Sequence, residues 1–512
     1  MALSILLLVL IVTLTIFYLW MKNQYSYWKK KNIPYIKPFP LIGSLKEILT
    51  MTSCPAEQLA AVCNDKSVKN HPAFGIYLLN RPILVIKDPA LSKLILIKEF
   101  NKFSDRFASA DPHGDPLAFN NLFFLKGAPW REMRTKVTPV FTSGKLKQMF
   151  PLIEEIGFEL NEYLCRLTKD NKTSMQEIKE ISALFGTDVI ASVAFGMYAN
   201  CLKDENSDFR RNGKPIFKWN TMRAYEFIVM FFFPQLVKLF RAKLFPTEAT
   251  KFLVDSISFV MADRAKSRIP RNDLIDILVK IKETSEAEGE DLDKKKLIAQ
   301  AAVFFAAGFE TSSSIISFGL HELSRKPELQ KRLREEIKES LLENDGKTSY
   351  ESLNAMKYLD MVVLEVLRMY PPQPFLDRIC TLPKGEEEFS LRPHIDLSIP
   401  HGMPVFFPLL ALQRDPKFFP NPDEFDPERF SPENKPKIIP FSYMPFGVGP
   451  HNCIGERLGV FQSKMGIVNF LRSHYVEPCE KSHEKIKLDP KGLLLSAKGG
   501  IYVNLVRDSL IC

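Results

Sequence analysis

The chain has 512 residues, 46% hydrophobic and 25% charged, so it is globular and long enough for an extensive core. Its formal net charge of +9 suits an anionic membrane surface or an acidic protein partner, while the absence of an arginine-rich block interleaved with aromatics argues against nucleic acid. Eight scattered cysteines, at 54, 63, 165, 201, 380, 453, 479 and 512, lack CxxC spacing and argue against a zinc site and a disulfide scaffold.

Residues 2 to 20 carry no charge and only Ser4, Thr13 and Thr15 as polar members. As a helix they span about 28 Å, enough for a bilayer core. A basic start, a shorter apolar core and a small-residue cleavage site are missing, which favours an uncleaved anchor over a signal peptide. Lys22, Lys29, Lys30 and Lys31 follow and put that side in the cytosol. Tyr18, Trp20, Tyr25, Tyr27 and Trp28 are expected at the membrane interface, before a stiff spacer at Pro34, Pro38 and Pro40. No linker or repeat divides the rest, so the expected units are an anchor (1–21), a basic and proline-rich hinge (22–44) and one large domain (45–512).

Further along, Phe103-Ser-Asp-Arg106-Phe and Trp130-Arg-Glu-Met-Arg134 set arginines beside aromatics, and Phe141-Thr-Ser-Gly-Lys-Leu-Lys follows. The segment Phe227 to Phe233, with Lys238, Arg241 and Lys243 after it, is expected to be a second, interfacial membrane element. From Leu297 to Leu320 the only charge is Glu310, in Ala306-Ala-Gly-Phe-Glu-Thr-Ser312. Its central acid and many hydroxyls favour a core helix over a membrane span. Gly308 is expected to admit a flat partner, and the Thr311 hydroxyl to bond back one turn and loosen the helix. An acid beside an alcohol in one groove is a route for protons.

Tyr358 to Tyr370 reads as a buried helix carrying Glu365 and Arg368, stopped by Pro371-Pro372. Phe446-Gly-Val-Gly449-Pro-His-Asn-Cys453-Ile-Gly455 then sets one thiol in a glycine-studded loop before a helix. The helix start favours a thiolate, and Gly447, Gly449 and Gly455 offer close backbone approach and φ values other residues resist. Such a thiolate suits the iron of a flat macrocycle; read alone, a lone Cys between glycines is also compatible with a buried structural thiol.

Phe446, Gly449, Cys453 and Gly455 together match the haem-binding signature of the cytochrome P-450 superfamily, which the chain resembles from its anchor to its last strands. The run at 141–147 resembles the microsomal xenobiotic branch, its insect side most. The resemblance implies a single haem-thiolate monooxygenase fold, mainly α with small β-sheets (α+β), behind an N-terminal transmembrane helix. It implies haem b with Cys453 as axial iron ligand, and propionate contacts from Arg106, Trp130, Arg134, Arg378 and His451. His451 stands where most relatives carry arginine, and Gly459 where alanine is commoner. Glu365, Arg368 and Arg429, the last in Phe425-Asp-Pro-Glu-Arg-Phe430, match a structural triad that holds the cysteine loop. Glu310 and Thr311 match the acid-threonine pair of proton delivery.

The implied activity is oxidation of apolar small molecules, xenobiotics or endogenous lipids, with O2 and electrons from NADPH. No GxGxxG opens a helix after a strand, so the electrons are expected from NADPH-cytochrome reductase, with cytochrome b5 as accessory donor, at the endoplasmic reticulum membrane. Lys136, Lys145, Lys147, Arg457 and Lys464 are the expected docking face. Substrate selection is expected in 108–124, 225–245, 304–311 and 373–376, which are rich in phenylalanine. Two other readings compete: a haem-thiolate isomerase or dehydratase that uses no O2, and a haem or lipid carrier without turnover.

Overall fold

The computed structural model describes residues 2–511 except 268, 270, 272 and 288–292; Cys512 lies outside the described residues. The first helix runs Ala2–Gln24, past the apolar run, because Met21, Lys22 and Gln24 propagate a helix well and nothing before residue 25 stops it. Its stretch Ile5–Gln24 has a mean hydropathy of 2.3 and is long and apolar enough to cross a membrane. The expected interfacial Trp28 is instead fully buried, its indole N–H donating to the Ile76 carbonyl at 3.1 Å. It lies flat on Gly75, where a Cβ would sit 2.3 Å from the ring. The proline-rich stretch after it is docked on the same strand, by Ile36 N–H to Gly75 O at 3.0 Å and Gly75 N–H to Pro34 O at 2.8 Å.

Three small sheets flank a helical body. Strands β1 (Ala73–Leu78) and β2 (Arg81–Ile86) form an antiparallel hairpin, and β2 pairs in parallel with a late strand, Pro404–Phe407. That strand pairs antiparallel with Leu376–Ile379, setting Arg378 opposite Val405. A second sheet joins Thr173–Glu177, Tyr502–Arg507 and His474–Glu477, all antiparallel, and a third pairs Glu388–Ser390 with Ser398–Pro400.

The body is built on one central helix, Lys294–Ser324, started by the Asp293 carboxylate accepting the Lys295 N–H at 2.8 Å. It is apolar on nearly every face because other helices cover it, so it is a core helix, as its acid and hydroxyls predict. Beside it lie Ile178–Ile190 and the cysteine helix, Glu456–Leu471. Gly308 is needed for that packing: a Cβ there would meet Ile190 Cδ1 at 2.4 Å. Gly308 also lines the large cavity, where a flat partner can approach it. Roofing the body is Thr221–Phe232, and beside it stands the short helix Pro116–Phe119. Phe227, Ile228, Val229, Phe231, Phe232 and Phe233 are all buried, so the expected interfacial element is core. Its apolar side chains meet other aromatics, whereas Leu239 (75% exposed) and Phe240 (61%) just beyond it face outward beside Lys238 and Arg241.

Candidate active site

The cysteine loop is folded by its own backbone. Cys453 N–H donates to Phe446 O at 2.7 Å and Asn452 N–H to Gly449 O at 2.9 Å, closing a tight double turn. Gly447 (φ +69°) and Gly449 (φ +73°) occupy the left-handed region, and a Cβ on Gly449 would lie 2.3 Å from Leu96 O. Gly455 has φ −91°, so its part in the motif is room and not a special dihedral. The cysteine helix starts three residues after Cys453, and the Gly455 N–H bonds toward the sulfur. Even so, the thiol is pushed up to about 11, because burial outweighs the Gly455 amide and the nearby Arg134 and Arg106. A bound metal cation would favour the thiolate by displacing the proton. Cys453 is exposed to the cavity that it lines.

Around that sulfur the chain gathers cations. Arg106, Trp130, Arg134, Phe446, His451 and Gly455 line the same cavity of about 320 Å³ as Cys453. Arg134 Nη2 donates to Asn452 Oδ1 at 2.8 Å, next to the cysteine. Arg378, buried on its strand, gives Nη1–H to the Asp377 carbonyl at 2.7 Å. Burial, with Arg106 beside it, pulls the Arg378 guanidinium down to about 9. The Nε–H groups of Arg106 and Arg378 are buried without a partner. Arg106 lines the cavity with the thiol, and Arg378, not itself a lining residue, stands beside Arg106; orphaned guanidinium donors next to a thiol fit a flat group that carries carboxylates and an iron, which is the donor set haem needs. His451 differs from expectation. Its Nε2 is 2.5 Å from Ser104 O and its ring lies 3.7 Å from Trp130, while burial and the three arginines hold its pKa far below the ordinary value. A neutral ring that gives Nε2–H to Ser104 has no second proton for a propionate.

Thr311 lines the same cavity and gives its hydroxyl to Ala307 O at 2.8 Å, the back-bond its sequence predicts. Glu310 is not among the lining residues. Its carboxylate pairs with Lys179 Nζ at 3.1 Å, and the same ammonium also donates to Glu310 O, Ser313 Oγ and Ser314 Oγ. Consecutive helix positions diverge by about 100°, so acid and alcohol do not share the groove as expected. All four expected substrate segments reach the cavity, through Phe123, Phe231, Phe304 and Gln373 among others. Ile190, Phe217 and Leu493-Leu494 line it too and carry no local signal that sets them apart from ordinary core.

The expected triad is assembled. Arg368 holds Glu365 through two bonds of 2.7 Å, both side chains fully buried, and Arg429 Nε stands 3.4 Å from Glu365 Oε1. Gln413, which sequence reasoning missed, connects it to the cysteine loop. Its Nε2 donates to the Leu367 and Arg368 carbonyls, its own carbonyl accepts Arg368 Nη1–H, and its Oε1 accepts the Met444 N–H at 3.0 Å. Of the expected docking cations, Lys464 is withdrawn: it is 2% exposed, pairs with Asp360 and donates to Leu353 O. Lys147 and Arg457 are exposed.

The model of the family "Cytochrome P450" matches residues 33–504. The chain is 44% identical to "Probable cytochrome P450 6g2" of Drosophila melanogaster over 99% of both chains. It is 41% identical to "Probable cytochrome P450 6w1" of the same fly over 98% of both, and 39% identical to "Cytochrome P450 6k1" of Blattella germanica over 96% of this chain and 95% of that one. A match of this extent, on a fold whose cavity sets a thiol among arginines, means that the chain belongs to the cytochrome P450 family of haem-thiolate monooxygenases, on its insect side.

Proposed function

We propose that the protein is a membrane-anchored monooxygenase of the endoplasmic reticulum that oxidises apolar xenobiotics or endogenous lipids. Its residues 1–21 form the anchor, 22–44 the hinge and 45–512 the cytosolic catalytic domain, served by an NADPH-dependent reductase and cytochrome b5. The observation that carries this reading is the content of one cavity, lined together by Cys453, Arg106, Arg134, Thr311 and several phenylalanines. When bound, haem supplies a redox iron at which dioxygen is reduced and cleaved. Cys453 would hold its iron through sulfur, and Arg106, Arg134 and Arg378 would neutralise its propionates, with Trp130 and His451 packed against each other beside them.

Thr311 has its hydroxyl proton committed to Ala307, so its oxygen can only accept, which orients a cavity water. Glu310 stands one residue behind, held as a carboxylate by Lys179, and can pass a proton to that water only after the pair opens and it has taken one up from solvent. The remaining lining is mostly aromatic and aliphatic, with Gln373, Asn452 and Gln462 as polar members, so it selects uncharged substrates by shape. The exposed helix Ile5–Gln24 anchors the chain. Leu239, Phe240, Phe39 and Leu41 add a second apolar contact, tied to the roof by Tyr225 Oη–H donating to Leu49 O at 3.3 Å.

Reconstitution with a reductase, NADPH and 18O2 tests the reading. One heavy oxygen per product, with NADPH consumed, is expected; product formed without O2 would select the isomerase or dehydratase reading, and no turnover over a broad apolar panel the carrier.

A further inference from the structure

Three side-chain amides line the cavity: Gln373, Asn452 and Gln462. Two of them are spent inside the protein. Asn452 Oδ1 accepts Arg134 Nη2–H beside the cysteine, and Gln462 is fully buried with its Oε1 enclosed. Gln373 is half-buried and keeps an open acceptor. Its Nε2 donates to the Phe375 carbonyl at 3.1 Å. A carbonyl can only accept, so the NH2 end of the amide is committed to Phe375 and the oxygen is the end left to the cavity. That oxygen accepts no hydrogen bond from any of the described residues and is not enclosed.

The backbone that carries it has little freedom. Pro371, Pro372 and Pro374 fix φ on both sides of Gln373, and a residue before proline is itself held extended. Pro372 O accepts the Leu495 N–H at 3.0 Å and Pro374 O accepts the Leu410 N–H at 3.0 Å, which ties the two neighbours to separate parts of the fold. Gln373 thus offers its oxygen in one place, at little ordering cost when a ligand arrives. Charge narrows what that ligand can be. Among the described residues no aspartate or glutamate lines the cavity, so an ammonium brought to the oxygen would be buried without a counter-ion. A carboxylate has no proton to give and would meet the oxygen lone pair to lone pair. A neutral hydroxyl or amide N–H satisfies both conditions.

We propose that Gln373 Oε1 is a specificity-determining acceptor, and that the cavity prefers apolar molecules carrying one neutral hydrogen-bond donor, such as an alcohol, a phenol or a secondary amide. The proposal rests on the monooxygenase reading of that cavity and narrows its substrate class. The test is competition binding to the full-length, haem-loaded protein, in the parent and in Gln373→Met. Naphthol, its methyl ether and naphthoate, all substituted at the same ring position, displace phenylimidazole, whose Soret shift reports occupancy. Methionine keeps the length of the side chain and removes the amide. Any contact between a ligand's oxygen and the haem is common to both proteins, so the comparison isolates Gln373.

The parent is expected to hold naphthol on the order of tenfold more tightly than the ether, which is the worth of one neutral hydrogen bond. In Gln373→Met the two affinities should become nearly equal through loss of naphthol binding, with the ether little changed and the ferrous carbon-monoxide spectrum as in the parent. Naphthoate should bind no better than the ether. A naphthol preference that survives in Gln373→Met, or tighter binding of naphthoate than of naphthol, overturns the acceptor and leaves the monooxygenase reading standing; a parent without a thiolate spectrum overturns the reading itself. If Gln373→Met does not hold haem, Gln373→Asn serves in its place, since it draws the oxygen back by one methylene and should lose the preference too. If neither variant holds haem, the parent decides: equal affinity for naphthol and ether overturns the acceptor, and a preference for naphthol supports it.

Discussion

Thr311 and Glu310 are neighbours in sequence with separate surroundings: the first bonds Ala307 O at the cavity wall, the second is clamped by Lys179 in the core. Only the hydroxyl is placed to order water where oxygen chemistry occurs. Thr311→Ala is therefore expected to lower product formed per NADPH on the order of tenfold, with hydrogen peroxide taking up the difference and haem content unchanged. Product, NADPH and peroxide measured together check it, and Thr311→Ser should recover most of the coupling. An unchanged ratio would leave Thr311 as a residue that only bends its helix.

Among the elements, the cysteine loop depends on a helix some eighty residues upstream. Gln413 makes that link, holding the Leu367 and Arg368 carbonyls while accepting from Met444. Gln413→Leu strands two buried carbonyls and an amide, which should cost about 1–3 kcal/mol for each group left unpaired. A lowered thermal midpoint together with faster haem loss to an acceptor protein is the expected outcome; a lower midpoint with unchanged haem loss would separate Gln413 from the loop. Glu365, Arg368 and Cys453 were legible because their motifs are local and their spacing is distinctive. Gln413 and Lys179 were not, since each is a common residue type whose partner lies far away in sequence. Phe227 to Phe233 and Lys464 misled for a related reason: an apolar run reads the same against lipid or core, and a lysine's burial depends on whether a distant carbonyl and carboxylate await its ammonium.

At the scale of the whole molecule, the N-terminal helix is exposed along its apolar length, and Phe39, Leu41, Leu239 and Phe240 are exposed too, with Lys238 and Arg241 beside the last two. A chain lacking residues 1–20 should still associate with anionic vesicles at low salt, and Leu239→Ser with Phe240→Ser should weaken that association at least several-fold. Flotation of both forms checks this, and equal flotation would exclude the second contact. Orientation has its own check, since the exposed sequon Asn171-Lys172-Thr173 should stay unglycosylated in cells if the domain faces the cytosol.

The central claim is that Cys453, set in its glycine loop among Arg106, Arg134 and Arg378, holds haem iron as a thiolate. The direct measurement is the absorbance spectrum of the reduced, carbon-monoxide-bound protein, in the parent and in Cys453→Ala. The parent should give the strongly red-shifted Soret band of a thiolate-ligated haem and the variant should lose it. A parent without that band, or a variant that retains it, would contradict the account.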